Sequence, residues 1–217
     1  MTGERARHLA LVGLGVAFVA PVIVVLSAFA ARVGLIPVET AVSLVTLGVA
    51  RSVAFAAPAV ILTVLWITRR DWRRAAKYAV PAFVVSALSL GLFQYHAVQL
   101  ARSGPLDVST NPGDSPVLRL QAGLPGTCEG LAAVETQILP ESAAWALQEQ
   151  GFAITKAGLF EVEGTRQGFW FGRRYDAVVR IRPGRTDLRL ATEGDRADGG
   201  AVCRQALGLA KLLQPVV

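Results

Sequence analysis

Histidine is almost missing from this chain of 217 residues: there are two, His8 and His96, and none after residue 100. That excludes a Ser-His-Asp triad, a Cys-His pair and an imidazole-built zinc site from the C-terminal half. Both histidines border apolar stretches, where an interfacial place on an anchoring helix is the simpler reading. Cysteine is equally scarce. Cys128 and Cys203 are the only two; no CxxC spacing or neighbouring histidine is present to lower a thiol pKa, which argues against redox or nucleophilic chemistry. Acid is scarce in the first hundred residues, which hold nine Lys and Arg against three Asp and Glu, whereas residues 101–217 hold thirteen of each. The formal charge of +6 therefore sits wholly on the apolar half, where it reads as a membrane-orientation signal rather than a partner-binding surface.

What is present in that half is three long apolar runs. Leu9 to Ala31 is free of charge, and a helix needs about 20 such residues to cross the hydrocarbon core. Arg5, Arg7 and the small-x-small triplet Ala28-Phe29-Ala30 give a cleaved signal peptide as the alternative, but the apolar run is too long for that and two further runs follow. The second span is expected over about 48–68, with Ser52 to Thr68 uncharged and Trp66, Arg69 and Arg70 marking one interface. Arg51 then falls about 27 Å from that interface along the helix and is expected to snorkel to the other surface. A buried functional arginine is the competing reading. The segment from Pro37 to Ala50 is apolar enough to extend the helix or lie in the interface. The third span, Tyr78 to Val98, has Tyr78 and Tyr95 near its ends, as interfacial aromatics tend to be.

Arg69, Arg70, Arg73, Arg74 and Lys77 crowd the link between the second and third runs. By the positive-inside rule that link and the amino terminus are cytoplasmic, so residues from 101 onward lie on the far side of the cytoplasmic, or inner, membrane. A loop this short between membrane helices has little reach toward nucleic acid, and orientation explains its charge. The two cysteines then fall in an oxidising compartment, where a bridge closing about 75 residues is the favoured reading and two unpaired thiols the alternative.

Residues 101–217 suffice for one compact domain. Ser103 to Pro116 is dense in Gly, Pro, Ser, Asn and Asp and reads as a linker. A helix opens at Pro140-Glu141-Ser142, carries Ala143, Ala144 and Leu147, and stops at Gly151. Period-two alternation follows in Phe152/Ile154, Phe160/Val162, Tyr175/Ala177/Val179/Ile181 and Leu188/Leu190. A last helix shows Val202, Ala206, Leu209 and Leu213 along one stripe. The expected fold is α+β: three transmembrane helices, then a small antiparallel sheet of three or four strands covered on one face by two helices. The charged set, Glu161 and Glu163 with Arg180, Arg182 and Arg189, is expected on the wet face as cross-strand pairs.

Acids remain as site candidates. Asp107 and Asp114 in the linker, and Asp195 and Asp198 before the last helix, are oxygen ligands in type but match no calcium-loop spacing. Asp198 fits better as a helix cap, and the Gly199-Gly200 pair alone is a weak anion signal. No metal or cofactor is expected.

The linker Pro105-Leu-Asp107-Val-Ser109-Thr110-Asn-Pro112-Gly-Asp114-Ser-Pro116 resembles the opening motif of the domain-of-unknown-function family 1499, Pro-x-x-Asp-(Ile/Val)-(Ser/Thr)-Thr-x-x-x-Asp-x-Pro. Gly168 to Arg204 is similar to the same family's aromatic, its Val- and Arg-rich strand and its Asp-x-Gly before the final helix. The resemblance spans about residues 104 to 213 and implies a domain carried behind membrane helices. Tyr175-Asp176 stands where two consecutive acids are usual, and Val202-Cys203 where an Asn is common, so Asp176, Asp198 and Arg204 are what remains of that polar set.

The reading that follows is a membrane-anchored binding or envelope-structural module, with the lipid bilayer and either an envelope protein or a small ligand as partners. The competing class is an envelope-directed hydrolase or transferase using Asp176 or Asp198 as acid or base and Arg174 or Arg204 to hold an anion. A transporter component, marked by Arg51 inside a helix bundle, is the third.

Overall fold

The computed structural model describes residues 3–69, 72–101, 104–119, 124–195 and 197–214. Arg70 of the basic link, Ser103 and Arg196 lie outside them. The chain divides into two compact units, Met1–Val98 and Gln99–Val217.

The first unit is built from α1 (Gly3–Arg32), α2 (Val38–Thr68) and α3, which starts in this unit and runs Trp72–Ala101. Each is long and apolar enough to cross a membrane. A helix suits that medium because its backbone polar groups are satisfied within the segment. Alanines pack α1 against α2: Ala10, Ala17, Ala20, Ala28 and Ala31 are buried on one, Ala41, Ala50, Ala54 and Ala57 on the other. Small side chains let two backbones approach where no hydrophobic effect drives them together. Ser27 and Thr46 meet within this interface, their hydroxyls 3.1 Å apart. On α3 the buried residues Ala75, Ala79, Ala82, Ser86, Ser89 and Phe93 recur every three or four positions, the seam of left-handed helix packing.

α2 begins at Val38, earlier than residue 48, where the span was expected. It opens with the turn Val38–Thr40, continues as a π-helical stretch Ala41–Ala50, and becomes α-helical over Arg51–Thr68. Arg51 therefore stands inside a continuous helix. Ala20, the middle residue of the run from Leu9 to Ala31, packs with Ala50 and Ala54, which puts Arg51 level with the centre of α1's apolar run. Its guanidinium lies 5.6 Å from the centre of the Phe55 ring. Of the two readings of the segment before Arg51, extension of the helix is the one observed, from Val38 onward.

The second unit is α+β. Its elements are β1 (Asp107–Ser109), α4 (Pro140–Glu149), β2 (Ala153–Ala157), β3 (Glu161–Gln167), β4 (Arg174–Arg182), β5 (Arg185–Thr192) and α5 (Ala201–Leu213). The strands form one antiparallel sheet in the order β1-β5-β4-β3-β2. Both helices lie on one face. There Tyr175, Ala177, Val179 and Ile181 of β4, Leu188 and Leu190 of β5, Val162 and Val108 meet Leu147 of α4 and Val202, Ala206, Leu209 and Leu213 of α5. Gly164 belongs to the same layer, because a Cβ there would stand 3.0 Å from that of Phe152. The sulfurs of Cys128 and Cys203 are 2.02 Å apart, at bonding distance, and fasten the loop before α4 to α5.

Three expectations change. The linker contributes a fifth strand, β1, whose Val108 pairs with Leu190. Phe160 is exposed, because it sits in the turn before β3 and not on the strand. The second face of the sheet is not uniformly wet either: residues of β5 from Thr186 to Thr192 are all buried, since the linker folds back across β5 and β4 and sets Leu118 against Val178 and Ala191.

Candidate functional site

The face opposite the helices carries the charged residues, and most are tied to one another. Arg189 is 4% exposed and Asp107 4%. Their side chains form a two-point pair, Nε to Oδ1 at 2.9 Å and Nη2 to Oδ2 at 2.7 Å, while Arg189 Nη1 donates to the Pro116 carbonyl at 2.7 Å. Asp187 is fully buried and receives Arg185 Nε at 2.8 Å, Arg180 Nη2 at 3.3 Å and Arg182. Burial pushes its carboxyl up, but the hydrogen bonds and charges of Arg182 and Arg185 prevail and hold it below the ordinary aspartate value. Asp114 bridges the same arginines, at 2.7 Å from Arg182 Nη1 and 3.2 Å from Arg180 Nη1. Those hydrogen bonds, Arg182's first, lower its carboxyl too. Thr110 completes the latch by accepting the Leu188 N–H at 2.9 Å.

The cross-strand pairing expected between Glu161 or Glu163 and the arginines does not form. Glu161 lies opposite Arg180 in register, yet both glutamates bond Lys156 Nζ, at 2.6 and 2.9 Å. The arginines turn instead to aspartates of the linker and of β5. Lys156 is raised by Glu161 first and then Glu163. Burial raises the Glu163 carboxyl, but hydrogen bonds from Lys156 and Glu161 with the charges of Lys156 and Arg119 together outweigh this, so its value is lowered.

Past the latched region the face opens into a trough of about 500 Å³ between the linker and β2–β3, bordered by Val117, Leu118, Arg119, Thr155, Lys156, Glu161 and Glu163. At one end a narrow cavity of about 40 Å³ runs down to Gly164, Thr165, Arg174, Asp176 and Ala177. Asp176 is buried at its floor and accepts a hydrogen bond from Thr165 Oγ1 at 2.8 Å. The floor has room for a water-sized group, and the trough is of the size that holds a small ligand.

Of the six residues singled out from sequence, Arg174 and Asp176 are therefore brought to one cavity, on the same face two positions apart. Asp107 and Asp114 hold the linker to the sheet. Asp198 caps α5, its Oδ1 accepting from Gly200 N–H at 2.8 Å and its Oδ2 from Val202 N–H at 2.6 Å. Arg204 Nη1 donates to the Gly199 carbonyl at 2.7 Å. Sequence reasoning missed Arg119, Lys156 and Thr165 as lining residues and placed Glu163 on this face as a cross-strand partner. Period-two alternation through β3 puts Glu163 and Thr165 beside Asp176, but no local signal marks Arg119. Among the described residues no group of three or more His, Cys, Asp or Glu side chains is arranged to hold a metal ion. Comparison with protein-family models, with curated proteins and with solved structures finds no match for this chain.

Proposed function

We propose that this chain is a membrane-anchored binding module whose C-terminal domain lies outside the cytoplasmic membrane and takes a small ligand of mixed charge in the trough beside the linker. The observation that carries the reading is the contrast across one sheet face. Over β5 and most of β4 the charged pairs are covered by the linker, whereas at β2 and β3 the Lys156–Glu161–Glu163 cluster lies at the rim of an open depression with Arg119, beside Arg174 and Asp176 from the start of β4. Alternating cations and carboxylates suit a zwitterion better than a simple anion, since the domain has no net charge to draw one in. The basic link after α2 supports a cytoplasmic amino terminus and hence the outward domain. Asp107 and Asp114 fasten residues 105–116, the segment that resembles the opening motif of the family 1499, to the sheet.

The test is thermal unfolding of the detergent-purified full chain against phosphoethanolamine, a compact zwitterion. A rising midpoint that is lost in Arg119→Glu and in Glu163→Lys supports the reading. No response to phosphoethanolamine, or an undiminished one in both variants, refutes it. One observation favours the enzymatic alternative: Asp176 and Arg174 share a cavity. For that reading Asp176→Asn must abolish turnover of an envelope phosphoester or glycoside while the fold survives.

A further inference from the structure

The hairpin between β3 and β4 carries aromatic rings where a soluble hairpin carries polar turn residues. Phe169 is 77% exposed and Trp170 64%, and the two rings pack edge to face with centres 5.4 Å apart. Backbone bonds hold the tip closed: Gly168 N–H donates to the Arg173 carbonyl at 2.8 Å and Gly172 N–H to that of Gly168 at 3.2 Å. Gly172 has φ 71°, a backbone region that side chains disfavour, and makes the reversal possible. The rings are thus displayed on a formed loop, so little ordering entropy opposes their use in a contact.

Sequence and topology indicate what they contact. From Gly164 to Tyr175 the chain reads GTRQGFWFGRRY, with three arginines and no acid. Aromatic rings flanked by cations are the composition that partitions into the headgroup layer of a bilayer. The sheet puts this tip at a particular end. Asp107 pairs with Ala191, and Ala191 with Asp176, so β1 and β4 run parallel and both begin at the end from which the hairpin projects. β1 is where the chain arrives from α3. Ala101 and Asp107, the last residue of α3 and the first of β1, are six residues apart, at most about 20 Å of extended chain. The hairpin's strand lies two strands over, about 10 Å. A short tether and the aromatic tip therefore share one end of the sheet. Glu193, Asp195 and Asp198 are also at this end, of which Glu193 lies 3.8 Å from Arg174 and Asp198 caps α5. Ring burial rather than net charge is the larger attraction.

We propose that the β3–β4 hairpin, Gly168–Gly172, seats Phe169 and Trp170 in the headgroup layer of the bilayer that the chain's own helices cross. This rests on the reading of those helices as membrane-spanning. The seat would fix the domain's tilt and hold the sheet end with the tether against the lipid.

The experiment uses the full chain and its Trp170→Phe variant, each reconstituted into vesicles of phosphatidylcholine and phosphatidylglycerol with or without headgroup-spin-labelled lipid. The difference between the two emission spectra isolates Trp170 from Trp66, Trp72 and Trp145. A blue-shifted difference spectrum, quenched several-fold more by the labelled lipid than by aqueous acrylamide, is expected. Weakening of that lipid quenching in Arg173→Glu/Arg174→Glu would extend it to the flanking cations. A Trp170 signal quenched by acrylamide and untouched by labelled lipid overturns the proposal, and so does protection from both, which would mean a protein contact. Alkaline carbonate extraction of the same vesicles separates the two failures: a chain that washes out has lost the spanning premise, and a retained chain with a wet Trp170 has lost only the hairpin seat.

Discussion

Removing the carboxylate of Asp107 is the sharpest test of how the linker is held. In the folded domain Arg189 is surrounded by protein, and Asp107 supplies the compensating charge through two hydrogen bonds of 2.9 and 2.7 Å. Asp107→Ala removes the carboxylate from a buried guanidinium whose contacts include the Pro116 carbonyl and the Ser115 hydroxyl, neither of which carries a compensating charge. Breaking one side of a buried pair costs about 3–5 kcal/mol, a large part of the roughly 5–15 kcal/mol that holds a typical domain folded. With a urea slope near 2 kcal/mol/M, a loss of about 4 kcal/mol lowers the unfolding midpoint by roughly 2 M. Pulse proteolysis of the full chain in detergent, scored on cleavage of the C-terminal unit, measures that midpoint. The companion Asp107→Leu/Arg189→Met must recover most of the loss, because replacing both partners with apolar groups is neutral or stabilising by up to about 4 kcal/mol. Lys156→Met, which breaks two ion pairs made by an exposed lysine, is expected to move the midpoint less. A shift of under about 0.5 M for Asp107→Ala, or a double variant worse than the single, would refute the argument that charge compensation fastens the linker.

Asp187 gives a pH dependence of defined sign. Its carboxyl is held below 3.8 on folding, so its contribution is complete above the unfolded value near 4 and is lost as pH falls through the folded value. Asp114 and Glu163, lowered in the same direction, add to the same acid limb. The unfolding midpoint should therefore be flat from about pH 7 to 5 and fall below about pH 4, and Asp187→Asn should lower the plateau while making the acid limb shallower; an acid limb of unchanged steepness would contradict this. Separately, Cys128 and Cys203 are 75 residues apart, and losing their bridge in Cys128→Ser/Cys203→Ser should cost about 4–5 kcal/mol on the chain-entropy account. In intact cells an impermeant maleimide should label the natural pair only after reduction, and labelling without reductant would count against the bridge.

Much of the architecture was legible because its causes are local. Charge-free runs mark α1 and α3, and the stripe Val202, Ala206, Leu209 and Leu213 is the buried face of α5. Alternation in β4 put Tyr175, Ala177, Val179 and Ile181 inward correctly. What escaped depends on partners distant in sequence. β1 is three residues within a segment of turn-formers, and only pairing with β5 makes it a strand. Arg189 read as solvated because its neighbours Leu188 and Leu190 face the core, and nothing nearby announces a carboxylate 82 residues earlier. Arg51 was placed near one end of its span, whereas the helix runs from Val38 through it to Thr68. For the site, Arg174 and Asp176 were reachable as a same-face pair, whereas Arg119 enters through the path of an irregular loop.

The strand that forms from the first residues of the domain has its hydrogen-bonding partner among the last. Val108 cannot pair until Leu190 has been made, and Cys128 must wait for Cys203. The β2–β3–β4 meander, by contrast, joins neighbours in sequence and can form early. Closing the long loops afterwards is slow relative to local pairing. During that interval Arg189 has no Asp107 in place and the β5 edge is bare, a surface on which a second chain could add a strand. The order of synthesis therefore makes the final 30 or so residues a gate on the whole unit: a chain arrested before β5 retains a meander but no latch, no bridge and no completed core.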